Sequence, residues 1–289
     1  MTDYSVVRDF FDRPFVTEQG PLEFVKGRKS PVNAEPYTRI STLAGALDEK
    51  SGLIDWTAAR AVIGLVKDDL EARRRGQDGA IFAGVANLMS NHADPWAVPE
   101  GKKPLKELVE KAKTRGGSED AADLGTAFHG LTEVIDRGGE PAYVPRQLGP
   151  WLDAYRETMS RFESVLVEPF VVNDELRVAG SPDRYLRDVE TGLVVCADIK
   201  SGLNEPDFPM KVTIQVAIGA NAVRYDQATG DRFPIDCSHD VGLLIHAPIK
   251  AQNPRVDLYR LDLRVGWRLA KLSHQVRTER KIAKLEKWK

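Results

Sequence analysis

Residues 178–202, VAGSPDRYLRDVETGLVVCADIKSG, decide how the rest of the chain is read. Two β-rich runs, 178–187 and 193–200, flank a turn signal at Glu190, Thr191 and Gly192 and predict a hairpin. Side chains alternate along a strand, so Asp198 and Lys200 share one face and Ile199 takes the other. Val194 to Ala197 are apolar on both faces, as in a central buried strand, which then ends in an acid and a base. Asp183 is expected on the neighbouring strand. Two carboxylates and a lysine at the end of a buried strand are costly unless they hold a cation and one another.

Pro182-Asp183, fourteen intervening residues, then Asp198-Ile199-Lys200 resembles the PD-(D/E)xK signature of metal-dependent nucleases. Further features resemble the RecB-like branch of that superfamily. A predicted helix over 118–135 carries Gly125, His129 and Glu133 at i, i+4 and i+8, hence on one face, and Gly-x-x-x-His on such a helix is a RecB-like feature. A second predicted helix, 211–225, carries Gln215, similar to the family's Gln-x-x-x-Tyr helix, but Gly219 stands where the tyrosine would be. The segment from Tyr37, Tyr-Thr-Arg-Ile-Ser-Thr, followed by a helix containing Trp56, is similar to an N-terminal piece of phage relatives.

The resemblance implies an α/β, restriction-endonuclease-like fold: a mixed β-sheet flanked by helices, with an N-terminal helical region that forms part of the DNA passage. It implies a Mg²⁺- or Mn²⁺-dependent DNA exonuclease serving recombination, replication or repair. A structure-specific endonuclease and a non-catalytic nucleic-acid-binding module remain the alternatives. Asp183 and Asp198 supply hard oxygen ligands suited to such ions, with the Ile199 backbone carbonyl as a further ligand and His129 completing the set. Lys200 orients the attacking water or stabilises developing negative charge, and Gln215 contacts phosphate or the ligands. Glu168 has two readings, an acid close to the metal or an edge-strand acid facing water ahead of Pro169. Lys211 and Arg184 are expected to contact DNA. The implied partners are DNA and a recombination or single-strand-annealing protein.

Composition is compatible with this. The 289 residues are 42% hydrophobic and 29% charged, typical of a soluble globular protein. No apolar run approaches a membrane span and the N-terminus lacks a secretory layout, so a cytoplasmic location is expected. Cys196 and Cys237 are the only cysteines, which excludes a disulfide framework and a four-cysteine iron–sulfur cluster within the chain. A net charge of −2 argues against a nonspecific nucleic-acid coat, yet positive charge clusters at 73–75, 102–115 and 268–289.

Residues 1–36, rich in Pro and Gly, are expected to form an irregular arm with at most one short element. The remainder, 37–289, reads as a single nuclease domain: a mainly helical part to 164, a sheet core over 165–263, and a basic helix over 264–289. Within it, helices are expected from a cap at Ser51 or Asp55 to about Arg75, then over 78–90, 104–115 and 150–162. Trp56 is expected to be a core anchor. Strands are expected over 165–172, with Glu168 in its middle, and over 241–247 and 256–263, and a loop over 201–209. His246 is read as structural. The last helix shows apolar positions Leu269, Leu272, Val276, Ile282 and Leu285.

Overall fold

The computed structural model describes residues 6–48, 50–202, 209–281 and 287, with 119–122 described by backbone alone. In chain order its elements begin with β1 (Phe15–Thr17), β2 (Ala34–Pro36), β3 (Thr38–Arg39) and α1 (Ile40–Ala44). Four longer helices and one shorter follow: α2 (Ser51–Arg73), α3 (Ala80–Asn91), α4 (Pro99–Arg115), α5 (Ser118–Asp136) and α6 (Gly149–Met159). The sheet strands β4 (Phe162–Val167), β5 (Val171–Asn173), β6 (Val178–Gly180), β7 (Arg184–Asp188) and β8 (Val194–Lys200) come next. Then α7 (Met210–Ala220), β9 (Val223–Tyr225), β10 (Arg232–Phe233), β11 (Val241–His246), β12 (Asp257–Asp262) and α8 (Leu263–Glu279) complete the described chain. The architecture is α/β, with mixed sheets flanked by helices. Contacts group residues 1–48 with 128–289, and 49–127 form a second unit.

The first unit holds two five-stranded sheets, ordered β10-β9-β5-β6-β3 and β12-β11-β8-β7-β4, and the small pair β1-β2. β8 lies at the centre of its sheet, antiparallel to β7 and parallel to β11, as its two-sided apolar sequence predicts. Two expected strands are each divided between the sheets. The run expected over 165–172 breaks at Glu168, where φ is +51° and Pro169 offers no N–H; β4 enters one sheet and β5 the other. The run expected over 178–187 breaks at Ser181-Pro182-Asp183, so Asp183 leads into β7 instead of lying within a strand. The two breaks face each other, since the Glu168 N–H donates to the Asp183 carbonyl at 3.0 Å. One long antiparallel ribbon, β4–β5 against β6–β7, thus folds across a seam between the sheets.

α7 fits between two apolar clusters, which explains why it is apolar nearly all round. Ile214 and Ile218 meet Ile40, Leu43, Val171 and Val178, whereas Val216, Ala217 and Ala220 meet Tyr185, Cys196 and Leu244. Full burial of each large side chain contributes about 1.5–3 kcal/mol. The crossing with α8 is close: a Cβ on Gly266 would come 2.5 Å from the Thr213 carbonyl. α7 ends at Ala220, earlier than expected, and the chain re-enters a sheet as β9. The N-terminal arm is also more ordered than its Pro/Gly content suggests. Val16 packs with Tyr37, Val172, Ala179 and Tyr225, and the Thr17 N–H donates to the Tyr225 hydroxyl at 2.9 Å.

In the second unit α2 lies against α4 at glycine contacts. A Cβ on Gly64 would collide with the Ala112 backbone, and one on Gly116 with the Arg60 backbone. The helix starts at Ser51 with Lys50 at its N-cap position, so neither Ser51 nor Asp55 stands at the cap. Trp56 is not a core anchor either: it is 39% exposed, with the Arg60 guanidinium 5.4 Å from its ring centre. α4 begins five residues before the expected 104, with Pro99 in its first turn. Of the expected loop 201–209, residues 203–208 lie outside the described residues, as do the side chains of Glu119 and Asp120 and the expected apolar positions Ile282 and Leu285.

Candidate active site

The seam between the sheets is where the chemistry-bearing residues meet. A cavity of about 480 Å³ is lined there by Glu168, Asp183, Asp198, Lys200 and Gln215, together with Pro182 and Cys196. Three local features bring them together. β8 delivers Asp198 and Lys200 to one face while Ile199, fully buried, takes the other. The break at Pro182 turns Asp183 back so that its Oδ2 accepts from the Ile199 N–H at 2.6 Å. Finally, the left-handed backbone at Glu168, unusual for a residue with a Cβ, aims its carboxyl at the same cavity.

His129 approaches from α5. Its Nδ1 is 3.8 Å from Asp183 Oδ2, too long for a hydrogen bond, and the Ile199 backbone carbonyl is its other close partner. Burial lowers its pKa below the usual histidine value, with Lys200 and Arg184 acting in the same direction against Asp183. The shift favours the neutral ring, the form that carries a lone pair able to coordinate.

The acids are short of compensation. Burial pushes Asp198 up to about 6, with nearby Asp183 adding to the effect and Lys200 opposing it. Lys200 Nζ stands 2.5 Å from Asp198 Oδ2, the ion-pair contact that opposes this rise. Burial likewise pushes Glu168 up to about 7, with Asp183 and Glu133 reinforcing it. Among the described residues no three metal-ligating side chains are already gathered into a cage. The donor chemistry nonetheless fits a hard divalent cation: carboxylates from separate segments whose ionisation is opposed by burial, beside an imidazole shifted toward its neutral form.

Gln215 lines the cavity from α7, and Lys211, one turn earlier, is near enough to favour Asp198 ionisation while standing 3.7 Å from Asp48. Gly219 explains the missing aromatic. A Cβ there would lie 2.7 Å from Cys196 Sγ, and the Tyr185 hydroxyl donates to its carbonyl at 2.8 Å, leaving no room for a side chain. Arg184 corrects an expectation: its side chain is 1% exposed and its N–H groups are engaged internally, so it has no surface to offer DNA. His246 is buried, with Nε2 2.9 Å from the Gly202 carbonyl.

Sequence reasoning missed Arg8, Asp12, Arg39 and Ser41, all on the cavity wall. Arg39 and Ser41 belong to the Thr/Ser-rich lead-in already singled out, but nothing in the pattern around Arg8 and Asp12 marks them. Asp12 pairs with both guanidiniums, with Arg8 at 3.6 Å and with Arg39 more closely. A second cavity, about 590 Å³, lies at the opposite end of the β7–β8 hairpin against Arg187, Leu193, Val194, Arg224 and Phe233. Among its described lining residues are one acid, Asp236, and the Cys237 thiol, which burial pushes up to about 11 and so away from the reactive thiolate. Set against known proteins, the chain matches no protein-family model and no curated protein.

Proposed function

We propose that the chain is a divalent-metal-dependent deoxyribonuclease of RecB-like type, acting as an exonuclease. The observation that carries this reading is the convergence of Asp183, Asp198, Lys200, Gln215 and Glu168 on one cavity, from segments spread over 168–215. Asp183, Asp198 and His129 are the groups that would hold a Mg²⁺ or Mn²⁺ ion, and Glu168 is the acid available to a second one. Such an ion supplies charge neutralisation at the phosphate and a water acidic enough to give hydroxide near neutral pH.

The protein groups have separable tasks. Lys200, half exposed at the end of a rigid central strand, presents a fixed positive charge where negative charge develops on the phosphate. It also holds the attacking water in line through its remaining donors. Gln215 offers amide N–H groups to a phosphate oxygen from the facing helix wall. Arg8 and Arg39 bring two guanidiniums to the cavity wall beside Asp12, donors suited to phosphate oxygens next to the acids that would hold the ion.

One digest tests the reading. Linear and covalently closed duplex DNA are each incubated with the protein in Mg²⁺ and in EDTA. Loss of the linear substrate alone, abolished by EDTA, is the expected result. Cutting of both substrates assigns an endonuclease, and no cutting in Mg²⁺ or Mn²⁺ overturns the hydrolytic function.

A further inference from the structure

Arg184 follows Asp183 in the chain, yet it points away from the cavity into the protein interior. Its side chain is 1% exposed, and each of its nitrogens is committed. Nε donates to Asp136 Oδ2 at 2.5 Å, Nη1 to the Asp183 carbonyl at 2.7 Å, and Nη2 to Thr132 Oγ1 at 3.3 Å. Nη1 also stands 3.8 Å from Glu168 Oε1. Thr132 and Asp136 lie one and two turns beyond His129 on the same helix, and the Thr132 hydroxyl donates to the His129 carbonyl at 2.9 Å. Asp136 is held in turn by the Tyr155 hydroxyl of α6 at 2.6 Å.

A buried arginine is a poor source of stability, because desolvation offsets most of its pairing. Its planar fork instead gives directional contacts that a lysine could not reproduce. Here the fork touches the backbone of one acid, the carboxyl of a second and the helix turn behind the imidazole. These are three pieces of chain far apart in sequence, and Arg184 adds side-chain contacts to the backbone bond between Glu168 and Asp183. We infer that Arg184 is a positioning residue, which with Thr132 and Asp136 sets His129 and Glu168 in register with Asp183. The role rests on the metal-site reading above, since its purpose is to pre-align donors for the ion. Groups that orient metal ligands typically change metal affinity 10–100-fold when removed.

Thr132→Val, isosteric and without the hydroxyl, and Arg184→Lys, which keeps the charge and loses the fork, are compared with the wild-type protein. Mn²⁺ binding is followed by electron paramagnetic resonance, folding by thermal melting, and the His129 ring by NMR of the metal-free protein. The half-saturating Mn²⁺ concentration should rise about tenfold for Thr132→Val and up to about 100-fold for Arg184→Lys. KM for DNA should stay within about twofold, because neither side chain meets substrate. The His129 ring resonance should shift or broaden in both variants while that of His246 stays in place. Should Arg184→Lys fail to fold, Thr132→Val carries the test alone. Variants that melt earlier but bind Mn²⁺ as tightly as the wild type, with an unmoved His129 resonance, overturn the positioning role and leave the nuclease reading intact. A wild-type protein that binds no Mn²⁺ overturns both.

Discussion

The two ends of the same three strands, β4, β7 and β8, treat their acids in opposite ways. At the turn end Asp188 pairs with Arg161 at 2.5 Å and accepts the Glu190 N–H at 3.0 Å. Its carboxyl is held down to about 2, chiefly by that arginine. At the seam end Asp198 and Glu168 are pushed up to about 6 and 7, chiefly by burial, and their protein partners do not make up the deficit. At one end a partner lowers the carboxyl's pKa; at the other burial outweighs Lys200 and Arg184 and raises it. Carboxyls shifted upward by burial in a cavity, on otherwise well-packed strands, are the feature on which the proposed function rests.

The sharpest way to break this contrast is to remove the seam charges. Asp198→Ala and Lys200→Ala should each lower metal-dependent DNA cleavage by on the order of 10²–10³-fold or more, with far-UV circular dichroism unchanged. Retained Mg²⁺-dependent hydrolysis in the Asp198 variant would show that the acid is not part of the site. His129→Ala should cost less, roughly tenfold to 100-fold in apparent metal affinity, and be partly restored by Mn²⁺, which accepts incomplete ligand sets. Equal Mg²⁺ titrations for variant and wild type would return the imidazole to a packing role.

In EDTA the pH dependence of stability should differ in sign between the two ends. Because the folded-state pKa of Asp198 is raised, its contribution is present at low pH and is lost as pH rises through about 6. Asp198→Asn does not titrate, so its melting temperature relative to the wild type should be higher at pH 8 than at pH 5, by on the order of a few degrees. Saturating Mn²⁺ should abolish the wild-type deficit at pH 8. Asp188 behaves conversely: its lowered pKa gives a contribution present above about pH 4 and lost as pH falls through about 2. Asp188→Asn should therefore melt below the wild type at pH 7, by no more than about 2 °C for an ion pair half open to solvent, and match it at pH 2. A same-signed pH response for both asparagine variants would erase the distinction between the two ends.

Much of this was legible beforehand in some residues and not in others. Period-two alternation places Asp198, Ile199 and Lys200 on their faces regardless of context, and an eleven-residue α7 with eight buried positions announces itself by composition. The backbone breaks at Glu168 and at Pro182-Asp183 were not legible, because each run is β-rich on both sides. Local propensity carries no information on which of two sheets a strand will join. Trp56 misled for a related reason, since helical spacing shows which residues share a stripe but not whether anything covers it. Arg184 misled because an arginine beside a catalytic-looking acid suggests a surface contact, and only three-dimensional packing exposes a buried acid such as Asp136, 48 residues away, as its partner.

The amino-acid order alone determined the central buried strand, its terminal acid and base, the helix carrying His129 and the absence of a cysteine-built cluster, because these follow from short-range periodicity and composition. Only the tertiary structure decided that one ribbon would fold across two sheets, that Glu168 and Asp183 would meet at the fold line, and that Arg184 would turn inward to link them to the helix. Those outcomes depend on contacts between distant segments, where burial and charge compensation are set jointly and no single stretch of chain contains the answer.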